Sequence, residues 1–165
     1  MPEVFLSLGS NIEREVHVPA ALSELARKFG PLAVSSLYES APIGFDGPPF
    51  HNLVVRFATE LPVEQVANIL SGIEHRHGRL PDARKFSSRR LDIDLLLYGD
   101  LVRSDAKPFL PREDITRCAF VLEPLAEIAP DHRHPVSGER YADLWAGFDK
   151  PGLVQTRVGP ATPLK

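Results

Sequence analysis

Apolar and polar positions predict an ordered set of elements. Val4-Phe5-Leu6-Ser7-Leu8 is a short β-prone run that ends in the turn cluster Gly9-Ser10-Asn11, which reads as a first strand. Over residues 18–29 the positions Ala21, Leu22, Leu25, Ala26 and Phe29 follow helical spacing, and Gly30-Pro31 stops the helix. Residues 32–40 alternate as a second strand. The loop 41–49 then carries three prolines and two glycines, is stiffer and longer than a hairpin needs, and is expected to shape a site. Residues 51–60 read as a third strand. Pro62 at a helix N1 position opens an amphipathic helix with Val63, Val66, Ala67, Leu70 and Ile73 as its buried stripe. Glu74, one turn beyond Leu70, is either a solvated helix end or an inward-facing functional group.

The strongest pattern is RRLDIDLLLYG, residues 89–99. Strand side chains change face at every residue, so Leu91, Ile93 and Leu95 share one face, and Asp92 and Asp94 share the other, roughly 7 Å apart at Cα. The next residues, 95–98, are apolar on both faces, as in a strand running into a core where free carboxylates are costly. A cation is therefore expected at the strand's mouth. It is either a hard divalent ion such as Mg²⁺, which takes carboxylate oxygens and completes its shell with water and substrate phosphates, or the arginines Arg89 and Arg90. An isolated Asp-x-Asp is equally readable as an exposed strand end paired with basic neighbours.

Farther on, residues 107–111 read as a rigid extended link, 117–128 as partly helical with Pro124 able to bend the helix, and 141–148 as a short final helix. The order strand, helix, strand, strand, helix, strand predicts an α+β fold. Its expected form is a ferredoxin-like βαββαβ core, an antiparallel sheet with helices on one face and helical additions at the C-terminus. Residues 1–150 are expected to form a single domain, and 151–165 an extended or partly disordered tail.

Composition changes the picture in two places. A formal charge of −3 argues against a general nucleic-acid or acidic-membrane binder, so any anionic ligand must be met by local basic density. That density lies in residues 76–90, with Arg76, Arg79, Arg84, Lys85, Arg89 and Arg90. The single cysteine, Cys118, excludes an internal disulfide and fits a reducing compartment. No signal-peptide pattern or long apolar run is seen, so a cytoplasmic protein without a membrane partner is expected; a monomer without a nucleic-acid partner is expected as well.

Four stretches, taken together, resemble the 6-hydroxymethyl-7,8-dihydropterin pyrophosphokinases of folate synthesis. They are LSLGSN (6–11), YESAPIG with the later FHN (38–44, 50–52), the run from IEHRHGR to RRLDIDLLLYGD (73–100), and AFVLEPLAEIAP (119–130). The resemblance implies transfer of a pyrophosphoryl group from ATP to the pterin's hydroxymethyl oxygen with release of AMP. It also implies site residues. Asp92 and Asp94 look like the ligands of two Mg²⁺ ions, and Arg79 and Arg89 like catalytic arginines that grip the phosphates. Ser71, Glu74, Lys85, Phe86, Leu95, Lys107 and Arg112 fall on positions near ATP. Phe50 and Phe120 match the aromatics that sandwich the pterin, Asn52 the asparagine that reads its polar edge, and Ser40, Ala41 and Ile43 the adjoining loop backbone.

Several positions depart from the resemblance. Pro81 stands for a loop arginine, Phe86 for a tryptophan, Arg112 for a histidine and Ser71 for a frequent glutamine; the arginine usual two places before Phe120 is Cys118, with Arg117 displaced by one. Three readings follow: an ordinary pterin pyrophosphokinase, a diverged relative with a different pterin or phosphate donor, or a non-catalytic ligand- or RNA-binding module on the same scaffold. The acidic balance weighs against the last.

Overall fold

A computed structural model describes residues 1–42, 44–78, 90–150 and 155–160. The elements are β1 (Glu3–Ser10), α1 (Arg14–Phe29), β2 (Ala33–Val34), β3 (Ser36–Ser40), β4 (Phe50–Ala58), α2 (Val63–Arg76), β5 (Asp92–Tyr98), α3 (Asp114–Arg117), α4 (Ala119–Ile128), α5 (Tyr141–Ala146) and β6 (Gln155–Pro160). The strands form one sheet in the order β5-β1-β4-β3-β6, with β2 beside β4, and every pair is antiparallel.

The sheet is covered on both faces, not on one. On the first face Leu6, Leu8, Leu53, Val55, Ile93 and Leu95 pack against Val18, Ala21, Leu22 and Leu25 of α1 and Val63, Val66, Leu70 and Ile73 of α2. On the second, Phe5, Val54, Leu96 and Leu97 meet Ile115, Val121, Leu122, Leu125 and Tyr141 from α3, α4 and α5. Consecutive apolar residues such as Leu53-Val54-Val55 require this, since neighbours in a strand face opposite ways and both must leave water. Helices on one face alone would leave Phe5, Val54, Leu96 and Leu97 in water.

A bulge sets the parity of β5. Leu95 pairs with Leu6 but Leu97 pairs with Phe5, so Leu96 is an extra residue, and Leu96 and Leu97 both turn to the second face. The bulged residue's carbonyl accepts the backbone N–H of Arg112 at 3.0 Å, which ties the chain before α3 to the sheet.

Other differences have local causes. The predicted strand 32–40 is split at Ser35, whose Oγ accepts the Val54 N–H at 2.9 Å and so replaces a ladder bond. α1 begins at Arg14 and runs through Pro19; a proline this near a helix start removes one intrahelical bond without ending the helix. Pro62 is the N-cap of α2. The 107–111 segment is no extended link. Arg103 and Leu110 exchange two backbone bonds, of 2.8 and 2.9 Å, and close a loop. The break in the 117–128 helix falls at Cys118, which is extended (φ −121°, ψ 120°), while Pro124 is buried within α4. In the tail, β6 pairs with β3, and Arg157 donates to Ser36 Oγ at 2.8 Å and to Glu127 at 3.1 Å. An edge strand held by main chain and one arginine leaves no alternating pattern to read. No helix of the described residues is long and apolar enough to cross a membrane.

Candidate active site

The second face of the sheet is core at one end and site at the other. With Ile93 and Leu95 held in the first core, the half-buried Asp92 and Asp94 must project from the opposite face. β5 is an edge strand, so its outward N–H groups need partners from elsewhere. Glu74, on the last full turn of α2, supplies one: its Oε2 accepts the Ile93 N–H at 2.8 Å, between the two aspartates. Glu74 therefore turns inward onto the β5 backbone and is not a solvated helix end.

Arg112 faces this acidic group. Its Nε donates to Asp114 Oδ2 at 3.1 Å, and its Nη2 lies 3.4 Å from Asp94 Oδ1. Burial opposes the charge, but Asp94, Asp114 and Asp92 outweigh it and raise the guanidinium's pKa above its ordinary value. Arg112, Asp94 and Asp114 open on a cleft of about 1110 Å³, whose lining includes Ser71, Glu74, Leu95 and Lys107 but not Asp92. Six of the positions that the sequence associates with nucleotide or metal thus share one cavity.

Two strands away lies a second constellation. Asn52 is buried, and its Nδ2 donates to Ser40 Oγ at 2.6 Å. Ser40 is opposite Phe50 in the β3–β4 register, and Ala41 follows at the strand's end. Phe50 meets Phe45 edge-on with centroids 6.4 Å apart, and Phe120 lies in the first turn of α4, against the second core. Glu127 sets the position of α4 over β3. It accepts Tyr38 Oη at 2.6 Å, and both the N–H and the hydroxyl of Ser36 at 2.9 Å. Burial raises the Glu127 pKa, yet those donors and Arg157 hold it below the usual carboxylate value. The loop before Phe50 is fixed from the other side, where Asn11 Nδ2 and Arg14 Nη1 each donate, at 3.0 Å, to the carbonyls of Pro48 and Pro49.

Gly9 joins the two constellations. In register it is opposite Asn52 on β4 and opposite Asp92 on β5. A Cβ there would stand 3.0 Å from Asn52 Oδ1 and 3.7 Å from Phe50 Cδ1, so the glycine leaves the floor of the site open. Cys118 is no nucleophile at neutral pH, because burial pushes its thiol up to about 11.

A family model for 7,8-dihydro-6-hydroxymethylpterin-pyrophosphokinase matches residues 5–130. The chain belongs to this family. Among pyrophosphokinases so named, that of Pseudomonas aeruginosa is 36% identical, the match covering 91% of this chain and 94% of the relative. That of Haemophilus influenzae is 34% identical over 79% of this chain and 84% of its own length. The folic acid synthesis protein fol1 of Pneumocystis carinii is 35% identical over 97% of this chain, which spans only 21% of that longer protein. A solved structure of Plasmodium falciparum HPPK-DHPS shares the fold, with a TM-score of 0.67 and 14% identity, over 88% of this chain and 43% of that one.

Of the positions expected in such a pyrophosphokinase, Ile43, Arg79, Lys85, Phe86 and Arg89 lie outside the described residues, as does Pro81. Sequence reasoning passed over three described ones. Gly9 had a signal, since a glycine inside an apolar strand marks a close approach. Asp114, which anchors Arg112, and Arg103, which lines the cleft and pairs with Glu64 at 2.7 Å, had none, because a loop closure invisible in the pattern brings them in.

Proposed function

We propose that this chain transfers the pyrophosphoryl group of ATP to the hydroxymethyl oxygen of 6-hydroxymethyl-7,8-dihydropterin. The observation that carries the reading is the register at Gly9, with the buried amide of Asn52 one strand to one side and the carboxylate of Asp92 one strand to the other. In this reading the ring lies at Asn52 with its substituent directed toward the aspartates. The hydroxymethyl oxygen attacks the β-phosphorus, the bond from that phosphorus to the bridging oxygen of the α-phosphate breaks, and AMP leaves.

Each group has a role that suits its chemistry. Asn52 offers a donor and an acceptor to the pterin's amide edge, and Ser40, Ala41 and Ile43 frame it. Phe50 and Phe120 stack on the ring's two faces. Ser71, Glu74, Leu95 and Lys107 border the nucleotide, and the cleft is large enough for one. Arg79, Lys85, Arg89 and Arg112 bring positive charge to the phosphates, with Phe86 beside them.

Asp92 and Asp94 are the ligands for Mg²⁺, two ions in this reading. Hard carboxylate oxygens on one strand face suit that ion, which takes one or two carboxylates and completes its shell with water and substrate phosphates. When bound, Mg²⁺ would neutralise charge on the transferring phosphates. The strand order β5-β1-β4-β3 with α1 and α2 supports a ferredoxin-like core. The reading takes the protein as a cytoplasmic monomer acting on small molecules. Incubation with Mg²⁺, ATP and 6-hydroxymethyl-7,8-dihydropterin should give one AMP per pterin diphosphate. Formation of ADP in its place, or no pterin-dependent AMP, overturns the proposal.

A further inference from the structure

Arg112 is built to stay in place while letting go of Asp94. Its backbone N–H is fixed on the bulge carbonyl of Leu96, and its Nε is hydrogen-bonded to Asp114. The contact to Asp94 is different in kind: an ion pair at 3.4 Å, longer than a good charge-assisted hydrogen bond and made by the far nitrogen Nη2. The side chain is 41% exposed on the cleft that Asp94 also lines. Because the contact to Asp94 is already long, a small tilt of the planar guanidinium is enough to break it while the shorter bond to Asp114 and the backbone anchor persist.

We propose that Arg112 is an exchangeable counter-ion, holding Asp94 when nucleotide is absent and passing to the nucleotide's phosphates when a divalent cation takes the carboxylate. The inference rests on the metal role assigned to Asp94 above and adds an order to it. A cation on either oxygen of Asp94 stands within a few ångströms of the Arg112 guanidinium and repels it, so the two compete. A bare cation must displace Arg112 with nothing to receive the arginine. A cation arriving with ATP brings phosphates for it. Arg112 therefore disfavours bare-cation binding and favours the cation–nucleotide complex. Asp114 keeps the arginine within reach in both states.

The competition predicts effects of opposite sign from one substitution. Mn²⁺ binding can be followed by the loss of its free electron-paramagnetic signal, without turnover. In the absence of ATP, Arg112→Ala should bind Mn²⁺ about tenfold more tightly than the wild type, the scale on which an adjacent opposite charge shifts a carboxylate. Arg112→Gln, which keeps much of the side chain's bulk, should do the same. The gain should vanish when Asp94→Asn is added. In the presence of a non-hydrolysable ATP analogue, Arg112→Ala should weaken nucleotide binding by about tenfold. A purely structural arginine would lower both affinities. Unchanged or weaker Mn²⁺ binding by both Arg112 variants, with Asp94→Asn still reducing it, overturns the exchange while leaving the metal site intact. No Mn²⁺ binding by any form, with or without nucleotide, overturns the metal site and the exchange together.

Discussion

The two faces of the sheet are made by the same strands, yet they are put to different uses. The face under α1 and α2 is apolar from Leu8 to Phe57, and its large side chains are nearly all removed from water. The face under α3, α4 and α5 is apolar only at the end carrying Phe5, Val54 and Leu97; at the other end the same strands present Gly9, Asn52, Asp92 and Asp94. Polar groups can be left unsealed at one end because the other face alone supplies a continuous core. The sealed face keeps the strands in place, and the open face uses that placement.

The largest effect that would sharpen this division is on stability. Leu22 is fully buried in the sealed core, and Leu22→Ala should cost about 2–5 kcal/mol by the loss of buried surface and the cavity left behind. Denaturant midpoints measure the loss; pterin affinity of the folded fraction should be unchanged, and a parallel loss there would mean the faces are not separable. Next comes the open face. Asp92→Asn or Asp94→Asn should lower turnover at least about a hundredfold, the scale of removing a main electrostatic stabiliser, while the denaturant midpoint stays near that of the wild type. Near-normal turnover at saturating Mg²⁺ would take these residues out of the mechanism.

A smaller effect is expected at the amide. Asn52→Ala should weaken pterin binding by roughly 1–3 kcal/mol in calorimetry, because it leaves the ligand's polar edge unpaired. ATP binding without pterin should hardly change; equal losses for both ligands would assign Asn52 to the fold.

The smallest effect returns to the sealed side, where His17 Nδ1 lies 2.7 Å from His77 Nδ1 and links α1 to the end of α2. Burial and the neighbouring His77 lower the His17 pKa, so the folded state favours the neutral ring. Its contribution is complete above the unfolded value of about 6.5 and is lost as pH falls below that, through the folded pKa. Loss of one such contact, about 1 kcal/mol, should lower the melting temperature by about 2–4 °C on acidification. In His17→Gln the midpoint between pH 7 and pH 5 should vary less; an identical pH dependence would remove the pair as its source.

The sealed face was legible in sequence because burial leaves periodicity: Leu22 and Leu25, or Val66, Leu70 and Ile73, recur at helical spacing. Asp92 and Asp94 were legible for the same reason, since alternation forces them opposite Ile93. The second layer was harder to read. Its helices are short, and α3 and α4 are divided at an extended cysteine that no spacing rule marks. The contact of Arg112 with Asp94 depends on a bulge and a closed loop, both main-chain events that side-chain patterns do not report.

Gly9 gives the site a ruler. The span from Asn52 to Asp92 is two interstrand spacings, each about 4.8 Å, fixed by the hydrogen-bond ladder and not by any side-chain torsion. Side chains at either end can swing, but the distance between their roots changes only if strands part. With Asn52 holding the ring and Asp92 facing the phosphates, as proposed, a longer or shorter arm between ring and hydroxyl would have to be taken up by those side chains alone, because the backbone span does not change.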